Sequence, residues 1–391
     1  MANCHQKQNP FGIGKLVVLY MEILKGMIFT KDCIFCPGIV IIEDDIIKEV
    51  QICKREELSP EEQKQYLLPG LIDVHFHGAA GYDFCDGTGE AYRAIEKYEN
   101  EHGITSICPA TMTLPVDELK TIVRNASKCG LHSLVGIHLE GPFISKEKKG
   151  AQKEDYIISP KKEILQDLQQ EADGLIKIVS IAPETEGAIL CIEEMQENFH
   201  FSIAHTTADY ETADKAFEAG ADHVTHLYNA MPVSTHREPS VLGAAADQEH
   251  VFVELICDGI HIHPAVVRNT FRIFGESRVI LISDSMRATG MSDGSYTLGG
   301  QDVNVRGTLA TLADGTIAGS VTNLYDCMKT AVSMGIVKET AVRATTINPA
   351  RSIGIDNTYG SIEKGKKANI LFTDENLRLE KVMICGKIVK D

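Results

Sequence analysis

The sequence predicts an α/β protein, a (β/α)8 TIM barrel with a small flanking β-sandwich domain built from both chain ends. Three observations carry that expectation. Eight apolar, strand-like runs alternate with amphipathic helical patterns between about residues 69 and 359. Such alternation implies right-handed crossovers and a parallel sheet, and eight repeats favour closure over an open doubly wound sheet. The two chain ends lack this rhythm and read as short strands and turns. No G-x-G-x-x-G opens the first helix, which counts against a dinucleotide-binding fold.

Taken in order, "GIVIIEDDIIKEVQI" at 38 is rich in β-branched residues and has little helical period, so residues 16–66 are expected to form a β module. Pro69-Gly70 then marks a change of rhythm. The expected strands are "LIDVH" at 71, "ITSICP" at 104, "LVGIHLE" at 134, "IKIVSIAP" at 176, "FSIAH" at 201, "HVTHL" at 223, "VFVELIC" at 251 and "RVILISD" at 278. Between them "EAYRAIEKYENEHG", "PVDELKTIVRNASKCG", "YETADKAFEAG" and "PAVVRNTFRIFG" read as helices, each ending in a glycine suited to a left-handed cap. From Gly360 the strand-and-turn texture returns and is expected to join the N-terminal β module. The expected domains are therefore 16–66 with 360–391, and a barrel over 67–359.

Composition narrows the partners. With 391 residues, 43% of them apolar and 24% charged, the chain is long enough for a large core plus a smaller one. A formal net charge of −17 argues against nucleic acid, which is held by clustered Lys and Arg. An anionic small molecule would need a local basic pocket. The apolar run "LVVLYMEILKGMIF" from Leu16 contains Glu22 and Lys25 and is too short and too charged to span a bilayer, so no membrane partner and a cytoplasmic location are expected. Eleven scattered cysteines suit reduced thiols, and "CIFC" at Cys33 to Cys36 has no second such pair to complete a zinc ribbon.

Polar residues at the ends of the apolar strands carry the chemistry. In "PGLIDVHFHG", alternation puts His75 and His77 on one side of the chain, a natural chelating pair. Alone, His-x-His is short and more often a solvated turn. Glu140 ends the third strand, His205 the fifth, His226 the sixth and Asp284 the eighth. Barrel active sites form at the carboxyl ends of strands, so all six are expected to project into one mouth. Carboxylates and imidazoles crowded there need a cation or one another. Nitrogen and oxygen donors without thiolate suit Zn2+ and tolerate Fe2+, Mn2+ or Co2+. Cys257, near the same rim, reads as core.

The HxH after the first strand, with a Glu, two further His and a terminal Asp, resembles the amidohydrolase superfamily. Within it, "GIHLEGPFISKEKKGAQ" (136–152), "THLYNAMPVSTHREPSVLGAA" (225–245), "CDGIHIHP" (257–264), "LISDSMRATG" (281–290) and "GTIAGS" (315–320) are similar to the N-acetylglucosamine-6-phosphate deacetylase family, from about residue 35 onward. The resemblance implies a metal held by Glu140, His205 and His226, a second ion at His75 and His77 with Glu140 bridging, and Asp284 as catalytic acid/base. One or two ions per subunit follow. Substrate positions carried over are Ala151, Asn229, the backbone of Ala230, the guanidinium of Arg237 at the phosphate, His261 at the sugar, and backbone at Ile317, Ala318 and Gly319. His236 and His263 lie beside these and are expected to be solvated or to cap a helix.

The implied partner is a phosphorylated N-acetyl amino sugar, and the implied assembly a homodimer in which the Arg237 loop reaches across a subunit boundary. The sequence departs from the family before His205, at Ser285, at Ser240 and at Gln152, where some relatives have histidine. None of these removes a ligand. A cyclic-amide hydrolase of the same superfamily would want a lysine at strand 4, where "IVSIAPE" offers Glu184. N-acetylgalactosamine 6-phosphate as substrate remains open. A non-catalytic sugar-phosphate sensor would not need Asp284.

Overall fold

The structure is a computed structural model and describes residues 21–390. Of the expected β module, residues 16–20 and 391 lie outside the described residues. Eight parallel strands form the barrel: first Leu71–Asp73, second Ile104–Ile107, third Ile137–Leu139, fourth Ile176–Ile181, fifth His200–Ile203, sixth His223–Val224, seventh Phe252–Ile256 and eighth Val279–Ile282. Each falls inside the run expected of it, except that the fifth begins one residue earlier, at His200. The third to eighth form one sheet in sequence order, and the first pairs with the second. Parallel bridges Ile107 to Leu134 and Ala110 to His138 join second to third. The ring closes where the Asp284 N–H donates to the His75 carbonyl at 3.0 Å and the His77 N–H to that of Ser285 at 2.7 Å.

Helices pack outside because their apolar residues recur on one stripe. In Val116–Lys128 the buried residues are Leu119, Ile122, Val123 and Ala126, at spacings of three and four. Thr88, Asp209 and Asn323 cap three helices by accepting backbone N–H groups. His263 does the same for Pro264–Phe274, its Nδ1 accepting from the Ala265 N–H. The floor of the barrel is closed by Ile347–Ser352. Its Asn348 donates to the carbonyls of Glu276 and Val279, while Ala350 packs with Ile72, Ile178 and Ile280.

Both chain ends contribute to a separate seven-stranded sheet. Its order is Lys387–Lys390, Leu379–Ile384, Ile370–Thr373, Tyr66–Pro69, Met21–Phe29, Phe35–Glu43, Ile46–Ile52. The sheet doubles back: Ile46 bridges Lys367, and the Ile47 N–H reaches the Lys366 carbonyl at 2.9 Å. Leu24, Ile28, Val40, Ile42, Leu67, Ile370 and Met383 fill the space enclosed. Cys33 turns the chain and Cys36 sits in the ladder opposite Ile28; among the described residues neither joins a group able to hold a metal. The chain passes from sheet to barrel at Gly70, where a Cβ would lie 2.0 Å from Thr105 Oγ1.

One element was not expected. Gly294–Leu298, Gln301–Arg306 and Leu309–Thr311 form a small antiparallel sheet after the eighth barrel strand. Val303 and Val305 bury themselves against Met112, Met286 and Ala318, which puts Leu298 in the wall of the barrel mouth. Among the described residues no helix is long and apolar enough to cross a membrane.

Candidate metal centre and active site

The side chains that meet in the mouth are delivered by abrupt ends to the strands. His205, His226 and Asp284 follow the fifth, sixth and eighth strands by two residues each and have φ of 44°, 35° and 48°. For residues with a Cβ that region costs about 1–2 kcal/mol each. Hydrogen bonds on both sides hold them there. The His205 carbonyl accepts from Ser145 N–H, Leu227 N–H reaches the Glu254 carbonyl just after His226, and the Asp284 carbonyl accepts from Ser320 N–H at 2.7 Å. Strained, over-determined backbone of this kind is typical of functional sites.

All six predicted residues converge and are buried. Glu140 Oε1 lies 3.1 Å from His205 Nε2 and 3.2 Å from His226 Nε2, and those two nitrogens are 3.2 Å apart. Glu140 Oε2 is 3.4 Å from His77 Nε2, and Oε1 is 3.6 Å from His75 Nε2. Asp284 Oδ1 stands 3.5 Å from His75 Nε2 and 3.4 Å from His77 Nε2. One carboxylate thus faces two His pairs.

These donors fit a divalent cation, and the reason is a hydrogen count. His205 Nδ1 sits 2.8 Å from the Lys148 carbonyl, which only accepts, so Nδ1 carries the hydrogen. Nε2, on the other side of the ring, faces a carboxylate oxygen and a second imidazole. His75 Nε2 has no hydrogen-bond partner at all. Lone pairs gathered in a buried space are the unmet half of a coordination shell. Both His75–His77–Glu140 and Glu140–His205–His226 have ligand atoms close enough to share an ion.

In the metal-free site, protons fill that role. Burial alone would raise the carboxyl groups, but His75 together with His205 and His226 holds Glu140 well below the usual carboxylate range, and His75 and His77 do the same for Asp284. Against its own burial, His75 is pushed up to about 10 by Glu140 and Asp284.

The cluster opens into a cleft of about 420 Å³. Its walls include Ala151, Asn229, Ala230, His261, Ile317, Ala318 and Gly319, all named from sequence, beside His77, Glu140, His205, His226 and Asp284. His261 Nδ1 is tied to Asp258 at 2.7 Å, leaving Nε2 for the cleft. Arg237 is different: it is exposed, on a loop whose Val233 is 82% exposed, and it does not line the cleft of its own chain.

Sequence reasoning missed the supports. Gln152, seen only as a departure from the family, donates from Nε2 to Glu140 Oε2 at 2.6 Å and accepts the Thr113 N–H at 2.6 Å. Lys148, Met112 and Leu298 also line the cleft. Glu184 accepts from Thr206 and Thr207, the residues after His205, and so braces that turn instead of joining the cluster.

A parallel eight-stranded barrel with a His/Glu/Asp cluster at the carboxyl ends of its strands defines a class: barrels built to hold a divalent cation at the bottom of a substrate cleft. Residues 66–389 match the sequence profile of the amidohydrolase family. The chain belongs to the amidohydrolase family. It is similar to N-acetylglucosamine-6-phosphate deacetylase of Bacillus subtilis (strain 168), 37% identical over 375 residues covering 92% of this chain and 95% of that one. It is also similar to N-acetylgalactosamine-6-phosphate deacetylase of Escherichia coli O157:H7, 32% identical with 84% and 89% covered. The solved Mycobacterium smegmatis N-acetyl-D-glucosamine-6-phosphate deacetylase in complex with N-acetyl-D-glucosamine-6-phosphate superposes with a TM-score of 0.88 at 30% identity, covering 95% of this chain and all of that one.

Proposed function

We propose that this protein hydrolyses the acetamide of N-acetylglucosamine 6-phosphate to glucosamine 6-phosphate and acetate. The observation that carries the reading is His205, oriented by the Lys148 carbonyl at Nδ1, with Nε2 aimed at Glu140 and His226 on the edge of a cleft that also holds Asp284. Glu140, His205 and His226 would hold one divalent ion, and His75 and His77 a second with Glu140 between them. Zinc is favoured by the donor set. Bound there, the ion would supply Lewis acidity, lowering the pKa of a water towards about 7 and polarising the amide carbonyl.

The protein's own groups do the rest. Asp284, held ionised by its neighbours, accepts the proton of the attacking water and then delivers it to the amine nitrogen, which leaves poorly unprotonated. Gln152 keeps Glu140 from rotating. His261 Nε2 meets the sugar, and Asn229 with the Ala230 backbone meets the phosphate end. Ile317, Ala318 and Gly319 form the facing wall, where the left-handed Gly319 brings backbone against the ligand. Ala151 lines the near side.

Arg237 would bind phosphate in a neighbouring subunit's cleft, which accounts for its exposure here and makes the working unit a homodimer. A sheet unit, expected as 16–66 with 360–391 and reaching Pro69 through the strand Tyr66–Pro69, and a barrel, expected as 67–359, belong to the same reading, as does a cytoplasmic location. The E. coli relative keeps the galactosamine epimer as a second substrate reading. Acetate release from N-acetylated hexosamines with and without 6-phosphate, on metal-free and metal-reconstituted protein, tests all of this. Release is expected only with metal and best with the glucosamine phosphate. Asp284→Asn is expected to keep its metal and lose nearly all turnover. Normal turnover by that variant would refute the proton shuttle.

A further inference from the structure

Two residues beyond the seventh barrel strand, Asp258 opens a short turn that ends at His261, a wall of the cleft. The chemistry above gives this carboxyl no part. The turn is open to solvent, with Gly259 at φ 86° and Ile260 both exposed, yet only 1% of the Asp258 side chain and 6% of the His261 side chain are accessible. Among the described residues neither belongs to a group able to hold a metal ion.

The two carboxyl oxygens have separate partners. Oδ1 accepts the N–H groups of Ile260 and His261, each at 2.9 Å, and closes the turn. Oδ2 accepts from His261 Nδ1 at 2.7 Å. Asparagine would close the same turn, since its carbonyl oxygen can take both backbone hydrogens. Only a carboxylate also offers an acceptor to the ring. Burial pushes the Asp258 carboxyl up, but His261 and the two N–H groups hold it below the usual carboxylate range, so it is ionised and has no hydrogen to give. Nδ1 of His261 therefore carries a hydrogen whether the ring is neutral or charged. A bond to an ionised acceptor is roughly twice as strong as a neutral one, and it anchors the ring along one edge. Nε2 is the edge left for the cleft, which Asn229, Ala230 and Asp284 also line.

We propose that Asp258 is a positioning residue for the substrate: it holds the His261 ring in one pose and one tautomer, so that in the neutral ring Nε2 accepts the hydrogen of a sugar hydroxyl. This rests on the deacetylase reading above and deepens it. The carboxylate never meets the sugar and acts only through the imidazole.

The test is Asp258→Asn in zinc-loaded protein. The amide oxygen keeps the two backbone N–H groups and so turns its NH2 towards Nδ1, which must then accept, and the ring hydrogen moves to Nε2. 15N histidine spectra, at a pH where the ring is neutral, are expected to place the hydrogen on Nδ1 in the wild type and on Nε2 in the variant. kcat/KM for N-acetylglucosamine 6-phosphate is expected to fall roughly 10–100-fold, with the zinc content unchanged. In a His261→Ala background the same substitution is expected to change kcat/KM by less than about twofold. A carboxyl that merely shaped the turn would cost the same in both backgrounds. Should the variant misfold, the wild-type spectrum decides alone. Wild-type kcat/KM in Asp258→Asn, an equal loss with and without His261, or a wild-type hydrogen on Nε2 would overturn the proposal and leave the hydrolytic reading intact. Wild type that releases no acetate would overturn both.

Discussion

His205, His226 and Asp284 show why a site can be legible in sequence while its geometry is not. Residue type and strand position announced all three, yet each sits at positive φ with no glycine to signal it, because neighbouring hydrogen bonds rather than local preference hold the backbone there. Asp258 was readable by the same logic, as a charge just after the seventh strand in "CDGIHIHP", but only contacts reveal that it reaches His261. Charge at this scale leads to a measurable exchange. His75 is pushed up to about 10 without an ion, so near neutral pH the empty cluster holds protons that a cation must displace. Zinc-binding heats measured in buffers of differing ionisation enthalpy are expected to differ in proportion to the protons released; buffer-independent heats would contradict this. Replacing Gln152 by Leu leaves the Thr113 N–H unpartnered and takes one hydrogen bond from Glu140 Oε2, and a loss of about 1–3 kcal/mol in stability is expected by denaturant titration.

Among the elements, the barrel strands and the helices between them followed from pattern because their burial is one-sided and periodic. The helices expected to stop at Gly103 and Gly275 do so, with φ of 87° and 71°. The antiparallel sheet after the eighth strand went unseen: Val303 and Val305 are its one alternating pair, with Leu298 and Ala310 single buried residues on the flanking strands, too short a signal to stand out from loop. Helix Gly89–Glu101 carries the clearest energetic anomaly. Glu99 is buried with both carboxyl oxygens unpartnered, and burial, followed by Asp73, raises it well above its ordinary 4.5. A raised carboxyl contributes its stability fully below the unfolded value and loses it as pH climbs through the folded one. Glu99→Gln removes that dependence, so the Tm advantage of the variant over wild type is expected to widen from about pH 5 to pH 8. A constant difference would show that Glu99 does not titrate against folding.

For the whole molecule, the alternation of eight strands and helices dictated the barrel, and the ring closure between Asp284 and His75 joins its first and last strands at the cluster itself. What the sequence could not yield is where Arg237 would act. Arg237 has the residue type for phosphate but stands exposed, away from its own cleft, in a protein with a net charge of −17. Arg237→Ala is expected to raise KM for the 6-phosphate substrate roughly 10–100-fold, the worth of a charge-assisted hydrogen bond of about 1.5–3 kcal/mol, and to leave KM for the unphosphorylated sugar unchanged. Equal effects on both would remove Arg237 from phosphate binding. The most direct test of the whole account is zinc titration of chelated protein against acetate release from N-acetylglucosamine 6-phosphate. Activity should start from essentially nothing and climb in step with the ion until the Glu140, His205 and His226 site is filled; full activity in the chelated protein would contradict it.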